Sequence, residues 1–136
     1  MNRVLMTLQR LGLGMQELPV LTVPGRRSGR PRRTPLTVLD LDDERYLLAG
    51  FPATDWAANA RAAGIGSLRV GSRDEQVRLV ELDADAALPV LRAWPVHVPR
   101  GATMMRDAGV VTDTTPEAFE AVAGVCAVFR IEVMHP

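Results

Sequence analysis

Apolar positions near the start of the chain recur at spacings of three and four: Val4, Leu5, Leu8, Leu11 and Met15. That period predicts an amphipathic helix over about residues 2–17, weakened near its end by Gly12 and Gly14. Docking onto the domain would use its apolar face; lying on a membrane or lining a ligand's entrance are sharper uses. The pattern then changes to strands. "VLTVPG" (20–25) enters a tight turn, "RRTPLTVLDLD" (32–42) leaves it, and "RYLLAG" (45–50) follows the turn "DDE", so the three form a meander with short loops. In "TDWAANARAAG" (54–64) the helical period returns, with Thr54 as cap, Asp55 in the first turn and Gly64 as terminator. Two more strands, "SLRVGS" (67–72) and "QVRLVEL" (76–82), are joined by "RDE". "DADAALPVLRAW" (83–94) predicts a short helix strained or broken at Pro89.

Residues 95–113 read as irregular, with "VPRGATMMRDAG" as a mobile loop, and "TTPEAFEAVAG" (114–124) as a helix with a capping threonine and Pro116 in its first turn. The last strand is "CAVFRIEV" (126–133), where Ala127, Phe129, Ile131 and Val133 alternate with Arg130 and Glu132. Six short strands and few helices predict a mainly antiparallel barrel with peripheral helices, in one domain spanning residues 1–136.

Charge changes this picture at one place. All 16 cations are arginine, they balance 16 acids, and the net charge is zero. Yet five arginines (Arg26, Arg27, Arg30, Arg32 and Arg33) fall within the eight positions 26–33. Arginine forks suit phosphates and carboxylates, so a polyanion is the expected ligand: nucleic acid, an anionic membrane or a cofactor with a charged tail. Overall neutrality argues against a dedicated nucleic-acid binder. Cys126, the single cysteine, reads as a small core residue. No apolar run approaches the roughly 18–20 residues of a membrane span, and Gln9 and Arg10 interrupt any signal-peptide core. The expectation is a cytoplasmic protein.

Conventional catalytic groupings are missing from the pattern. The only histidines are His97 and the penultimate His135, there is no nucleophile turn, and no dinucleotide or nucleotide-phosphate loop. The acids sit at turns, not in metal-ligand spacing. An enzyme with this sequence would leave the chemistry to a bound cofactor, and no catalytic residue or metal ligand is assigned. In the arginine turn, Gly25 and Gly29 offer backbone amides to an anion and Ser28 a hydroxyl, while a solvated hairpin is the plainer alternative. In "DWAANAR" (55–61), Trp56 and Asn59 share a helix face. They suit either a wall for a flat heteroaromatic ligand or a core anchor beside a solvated amide.

Together, "GRRSGRPRRTPL" (25–36), "LLAGF" (47–51) and "DWAANARAAG" (55–64) resemble the deazaflavin-dependent nitroreductase family, actinobacterial oxidoreductases that use coenzyme F420. The resemblance spans about residues 20–72, and "FRIE" (129–132) is similar to the family's closing strand. It implies a six-stranded split β-barrel like that of the pyridoxine-phosphate-oxidase and FMN-binding families. It further implies that Arg26, Arg27 and Ser28 meet the coenzyme's anionic tail, and that Arg32, Arg33, Thr34, Pro35 and Leu36 run beside its phosphate and ring. Leu48, Ala49, Gly50 and Phe51 would border the deazaflavin, with Asp55, Trp56 and Asn59 completing the pocket. The implied activity is hydride transfer from the reduced coenzyme to a small flat electron acceptor such as a quinone, nitroaromatic or enone. Nitroimidazole-reducing members carry tyrosines before the last strand, whereas this chain has only Tyr46, far upstream. The alternatives are an FMN-binding barrel and a non-enzymatic module for RNA or anionic lipid. No nucleic-acid partner is expected; a homodimer and peripheral membrane association are both compatible with the sequence.

Overall fold

A computed structural model describes residues 18–135; the helix expected over 2–17 lies outside the described residues. Seven strands form one sheet: β1 (Val20–Pro24), β2 (Pro31–Pro35), β3 (Leu39–Leu41), β4 (Glu44–Leu48), β5 (Ile65–Val70), β6 (Arg73–Glu81) and β7 (Val128–Val133). Their spatial order is β2-β1-β5-β6-β7-β4-β3, and every neighbouring pair is antiparallel. Four helices accompany them: α1 (Asp55–Ala63), α2 (Ala84–His97), α3 (Pro99–Asp107) and α4 (Pro116–Glu120).

The expected strand 32–42 is two strands, which makes seven where the pattern predicted six. Apolar positions alternate through "TPLTV" and again through "LDL", with only a one-residue slip at Val38–Leu39, so the run reads as one strand. The chain leaves β2 after Pro35, where the Leu36 N–H donates to the Pro19 carbonyl at 2.9 Å. Leu36 and Val38 then pack against the barrel core. The predicted meander fails for the same reason: β2 lies beside β1 at one edge, while β3 and β4 lie at the other.

This connection dictates the shape. Only Leu36, Thr37 and Val38 separate β2 from β3, which are the two outermost strands. Four residue steps reach at most about 14 Å. A flat sheet of seven strands would be about 29 Å across. The sheet therefore curls until its edges approach, giving a half-barrel.

Two cores follow from the curl. Leu21, Val23, Leu47, Leu68, Val77, Leu79, Phe129 and Ile131 fill one, closed by Ala57 and Ala60 of α1. Leu39, Leu48 and Val128 point the other way, beneath Leu91, Trp94, Met105 and Phe119 of the remaining helices. β7 is thus buried on both faces at its start, Val128 and Phe129. Phe129 and Ile131 alternate inward as expected, but Val128 is buried too and Val133 is 41% exposed. Cys126 is a core residue of the second cluster, and burial pushes its thiol pKa up.

The α1 boundaries match the local signals. Thr54 Oγ1 accepts from the Ala57 N–H at 3.3 Å, and Gly64, at φ 72°, ends the helix. Elsewhere burial overrides local signals. α2 runs unbroken through Pro89 and Pro95 because Ala87, Val90, Leu91 and Trp94 keep one buried stripe. Residues 99–107, expected to be loop, form α3, with Pro99 in its first turn and Ala102 and Met105 buried. Gly101 permits this packing: a Cβ there would lie 3.1 Å from Val98 Cγ1 and 3.8 Å from Trp94 Nε1. α4 is capped by Thr115 as expected, but it stops at Glu120.

Two stability predictions follow. A Cβ on Gly66 would sit 2.8 Å from both the Thr22 carbonyl oxygen and Val23 Cγ1. Gly66→Ala should cost about 1–3 kcal/mol in denaturant unfolding, and an unchanged midpoint would show that β1 and β5 separate freely. Arg61 and Glu81 tie α1 to β6 through bonds of 2.6 and 2.8 Å, and the Arg61 hydrogen bond holds the Glu81 pKa below its ordinary value. The pair's stabilisation is therefore present above the ordinary carboxylate range and lost as pH falls through the lowered pKa. Because both groups are partly solvated, Glu81→Gln should cost under about 1 kcal/mol at neutral pH, and that difference should vanish in acid.

Candidate cofactor site

The arginine turn closes on itself. The Gly25 N–H donates to the Arg30 carbonyl and the Gly29 N–H to the Gly25 carbonyl, both at 2.8 Å, with Gly29 at φ 74°. Ser28 Oγ accepts from the Arg30 N–H at 3.1 Å. The two glycine amides are therefore engaged within the turn, contrary to the expectation that they face an anion. Gly25 instead sits in close packing, where a Cβ would lie 3.1 Å from Ser28 Oγ and 3.3 Å from Arg32 Nε. The guanidinium groups and the Ser28 hydroxyl hydrogen are the donors this turn would offer an anion.

Those guanidinium groups differ sharply in their pairing. Arg27, Arg30, Arg32 and Arg33 have no carboxylate partner among the described residues, whereas every other described arginine except Arg100 lies within 3.8 Å of one. A protein with no net charge thus gathers four uncompensated cations on one turn and its outgoing strand. Arg26 is the exception within the turn. Its Nη2 meets Asp55 Oδ1 at 3.3 Å, and its Nη1 donates to Asn59 Oδ1 at 2.8 Å.

Between the turn and α1 lies an open cleft of about 590 Å³. Nine of the residues expected at the site line it: Arg26, Arg27, Ser28, Arg32, Arg33 and Thr34 on one side, with Asp55, Trp56 and Asn59 opposite. Trp56 is both core anchor and wall. Its ring packs on Phe129 at 5.7 Å and 47°, and its free side borders the cleft. Asn59 is buried, not solvated, at 5% exposure. Strand alternation separates the two arginines of β2: Arg32 pairs in register with Val23, which faces the core, and Arg33 with the outward Thr22. Arg33 accordingly also borders a groove on the sheet's outer face, together with Thr22 and Arg69.

The remaining expected residues do not line this cleft. Leu48 and Ala49 are buried in the two cores, Leu36 packs against the barrel, and Pro35 ends the edge strand. Gly50 sits beside Met105, and Phe51 is 52% exposed. A smaller cleft of about 310 Å³ runs past Pro52, Ala53 and Thr54, sharing Arg26 and Asp55 with the first. His97 ends α2, away from both. Sequence reading missed the internal use of Arg26, whose partners Asp55 and Asn59 are 29 and 33 positions away.

The chain is thus a curled antiparallel half-barrel that carries a cationic cleft walled by an indole. Residues 4–112 match the F420H(2)-dependent quinone reductase family, and the chain belongs to that family. Its cofactor is coenzyme F420 and its activity is that of an F420H2-dependent reductase. Among solved structures, an F420-H2 dependent reductase aligns at TM-score 0.60 and 19% identity over 88% of this chain and 100% of the other. A domain-swapped dimer aligns at TM-score 0.60 and 21% identity over 96% and 92%. A conserved hypothetical protein from Mycobacterium tuberculosis aligns at 0.56 and 16% over 99% and 82%. These three are alike in fold. No curated protein sequence matches the chain. Among the described residues no helix is long and apolar enough to cross a membrane.

Proposed function

We propose that the 590 Å³ cleft is where coenzyme F420 binds, with its anionic phosphate and tail against Arg27, Arg32 and the Ser28 hydroxyl and its flat ring along Trp56. The observation that carries this reading is the set of uncompensated arginines facing an aromatic and amide wall. The donor set fits the group. Guanidinium forks suit phosphate and carboxylate oxygens, and an indole held from behind by Phe129 suits a planar heterocycle. FMN, with a phosphate but no glutamate tail, would leave part of this charge unanswered. Arg26 and Asp55 line both clefts, so the groove continues past the α1 N-terminus along Pro52, Ala53 and Thr54. Arg33 and Thr34 form the part of the strand edge that the phosphate passes. We read the site as a split barrel's cofactor groove.

The chemistry the coenzyme supplies when bound is hydride donation from its reduced ring to a quinone, with nitroaromatics and enones as further acceptors. The protein's own contribution is positional. The turn and α1 hold the two ends of the cofactor at a set distance, and the apolar wall restricts water on one side. The dimeric structural neighbour supports a homodimer, which sedimentation would read directly.

Titration with oxidised coenzyme F420, and with FMN in parallel, should show tighter binding of the deazaflavin. The preference should narrow at high salt as the arginine field is screened. Arg27→Ala and Arg32→Ala should each weaken F420 binding by about tenfold or more. Protein purified yellow with bound FMN, or equal affinity for both cofactors, would overturn the assignment. Reduced coenzyme should be consumed with a soluble benzoquinone; binding without turnover on several quinones would leave a carrier.

A further inference from the structure

Asn59 is the single buried polar side chain among the described residues, and it borders the cofactor cleft. Its Oδ1 accepts two hydrogens from Arg26: one from the backbone N–H at 3.0 Å and one from the guanidinium at 2.8 Å. Neither donor can accept, so the orientation of this carboxamide is forced. The oxygen faces Arg26, and the Nδ2 hydrogens face away. Among the described residues no acceptor takes them. A buried amide donor without a partner is unfavourable, and one that borders a ligand cleft is a donor kept for the ligand.

Arg26 itself turns three of its five guanidinium N–H groups toward α1, leaving Nε and one Nη2 hydrogen uncommitted. Its Nη1 serves Asn59 and lies 3.5 Å from the Asp55 carbonyl, while its Nη2 is paired with the Asp55 carboxylate. Arg27 and Arg32, beside it, carry no such partners among the described residues.

We propose that Arg26 is a positioning residue and not a ligand of the anionic tail. By saturating the oxygen of Asn59 it turns that side chain into an obligate hydrogen-bond donor, which receives an acceptor oxygen of the bound coenzyme. The same latch ties the arginine turn to α1, so it sets the distance from the free cations to Trp56. This inference rests on the F420 reading of the cleft.

A double-mutant cycle on F420 binding, followed by fluorescence, tests it. Asn59→Ala should weaken binding by about tenfold to a hundredfold, and Arg26→Gln by less, about threefold to tenfold, because its backbone N–H still donates to Asn59 Oδ1. In the Asn59→Ala background, Arg26→Gln should change affinity by less than about twofold, because its route to the ligand is already gone. An equal loss from Arg26→Gln in both backgrounds would overturn the inference, since that is how an independent cation at the tail behaves. The salt dependence of binding should be unchanged in Arg26→Gln and shallower in Arg27→Gln. Arg26→Lys guards against a merely unfolded variant: it keeps the charge but loses the fork, so it should not restore affinity, and full rescue would count against the proposal. Titrating Asn59→Ala with a tail-free deazaflavin locates the oxygen. A persisting loss assigns a ring carbonyl, a vanished loss assigns the phosphate or tail, and both uphold the donor role. Wild-type protein that does not bind F420 at all would overturn the cofactor reading itself, an outcome distinct from additive losses in a protein that binds.

Discussion

Three residues, Leu36 to Val38, join the two outermost strands of a seven-stranded sheet, and the rest of the architecture follows from that short link. It forces the curl, and the curl separates an inner core from the core beneath α2, α3 and α4. Closure also brings the β1–β2 turn over α1, because α1 lies on the inner core and packs against β1. The cleft is therefore a consequence of sheet closure, with the turn as one wall and the helix as the other.

Within that frame, charge distribution matters more than charge total. A net charge of zero suggests an unremarkable surface. Ion pairing redistributes it, since the arginines of β4, β5, β6, α1, α2, α3 and β7 nearly all have carboxylate neighbours. Those of the turn and β2 lack them among the described residues, apart from Arg26. The uncompensated charge is concentrated where a polyanionic cofactor would be held, and edge strand β2 is kept from pairing with other chains by the same arginines and by its two prolines.

Helix α1 shows how one short element can serve both packing and recognition. Ala57 and Ala60 let it lie close on the sheet, and Trp56 reaches Phe129 behind it. Asn59, on the same side, is too buried for a solvated amide and is held by Arg26 from another element. Wall and anchor, which stood as alternatives on the sequence, are one role here. A rigid wall needs a buried back.

Features governed by local interactions were legible in the sequence: the caps at Thr54 and Thr115, the terminator Gly64, the mainly β character and the density of arginine in one turn. Each depends on residues within a few positions, so periodicity and turn chemistry reveal it. What the sequence could not display depends on partners far away. The split of 32–42 arises from docking onto Pro19 and the barrel core, and α2 persists through Pro89 and Pro95 because its apolar stripe is covered. Arg26 and Arg27 are adjacent and chemically identical, yet only Arg26 has Asp55 and Asn59 within reach. The sequence by itself determined that arginine is concentrated in one turn. Tertiary structure decided which of those arginines keep no carboxylate partner among the described residues, because a charge is available to a ligand only where the fold has not already paired it.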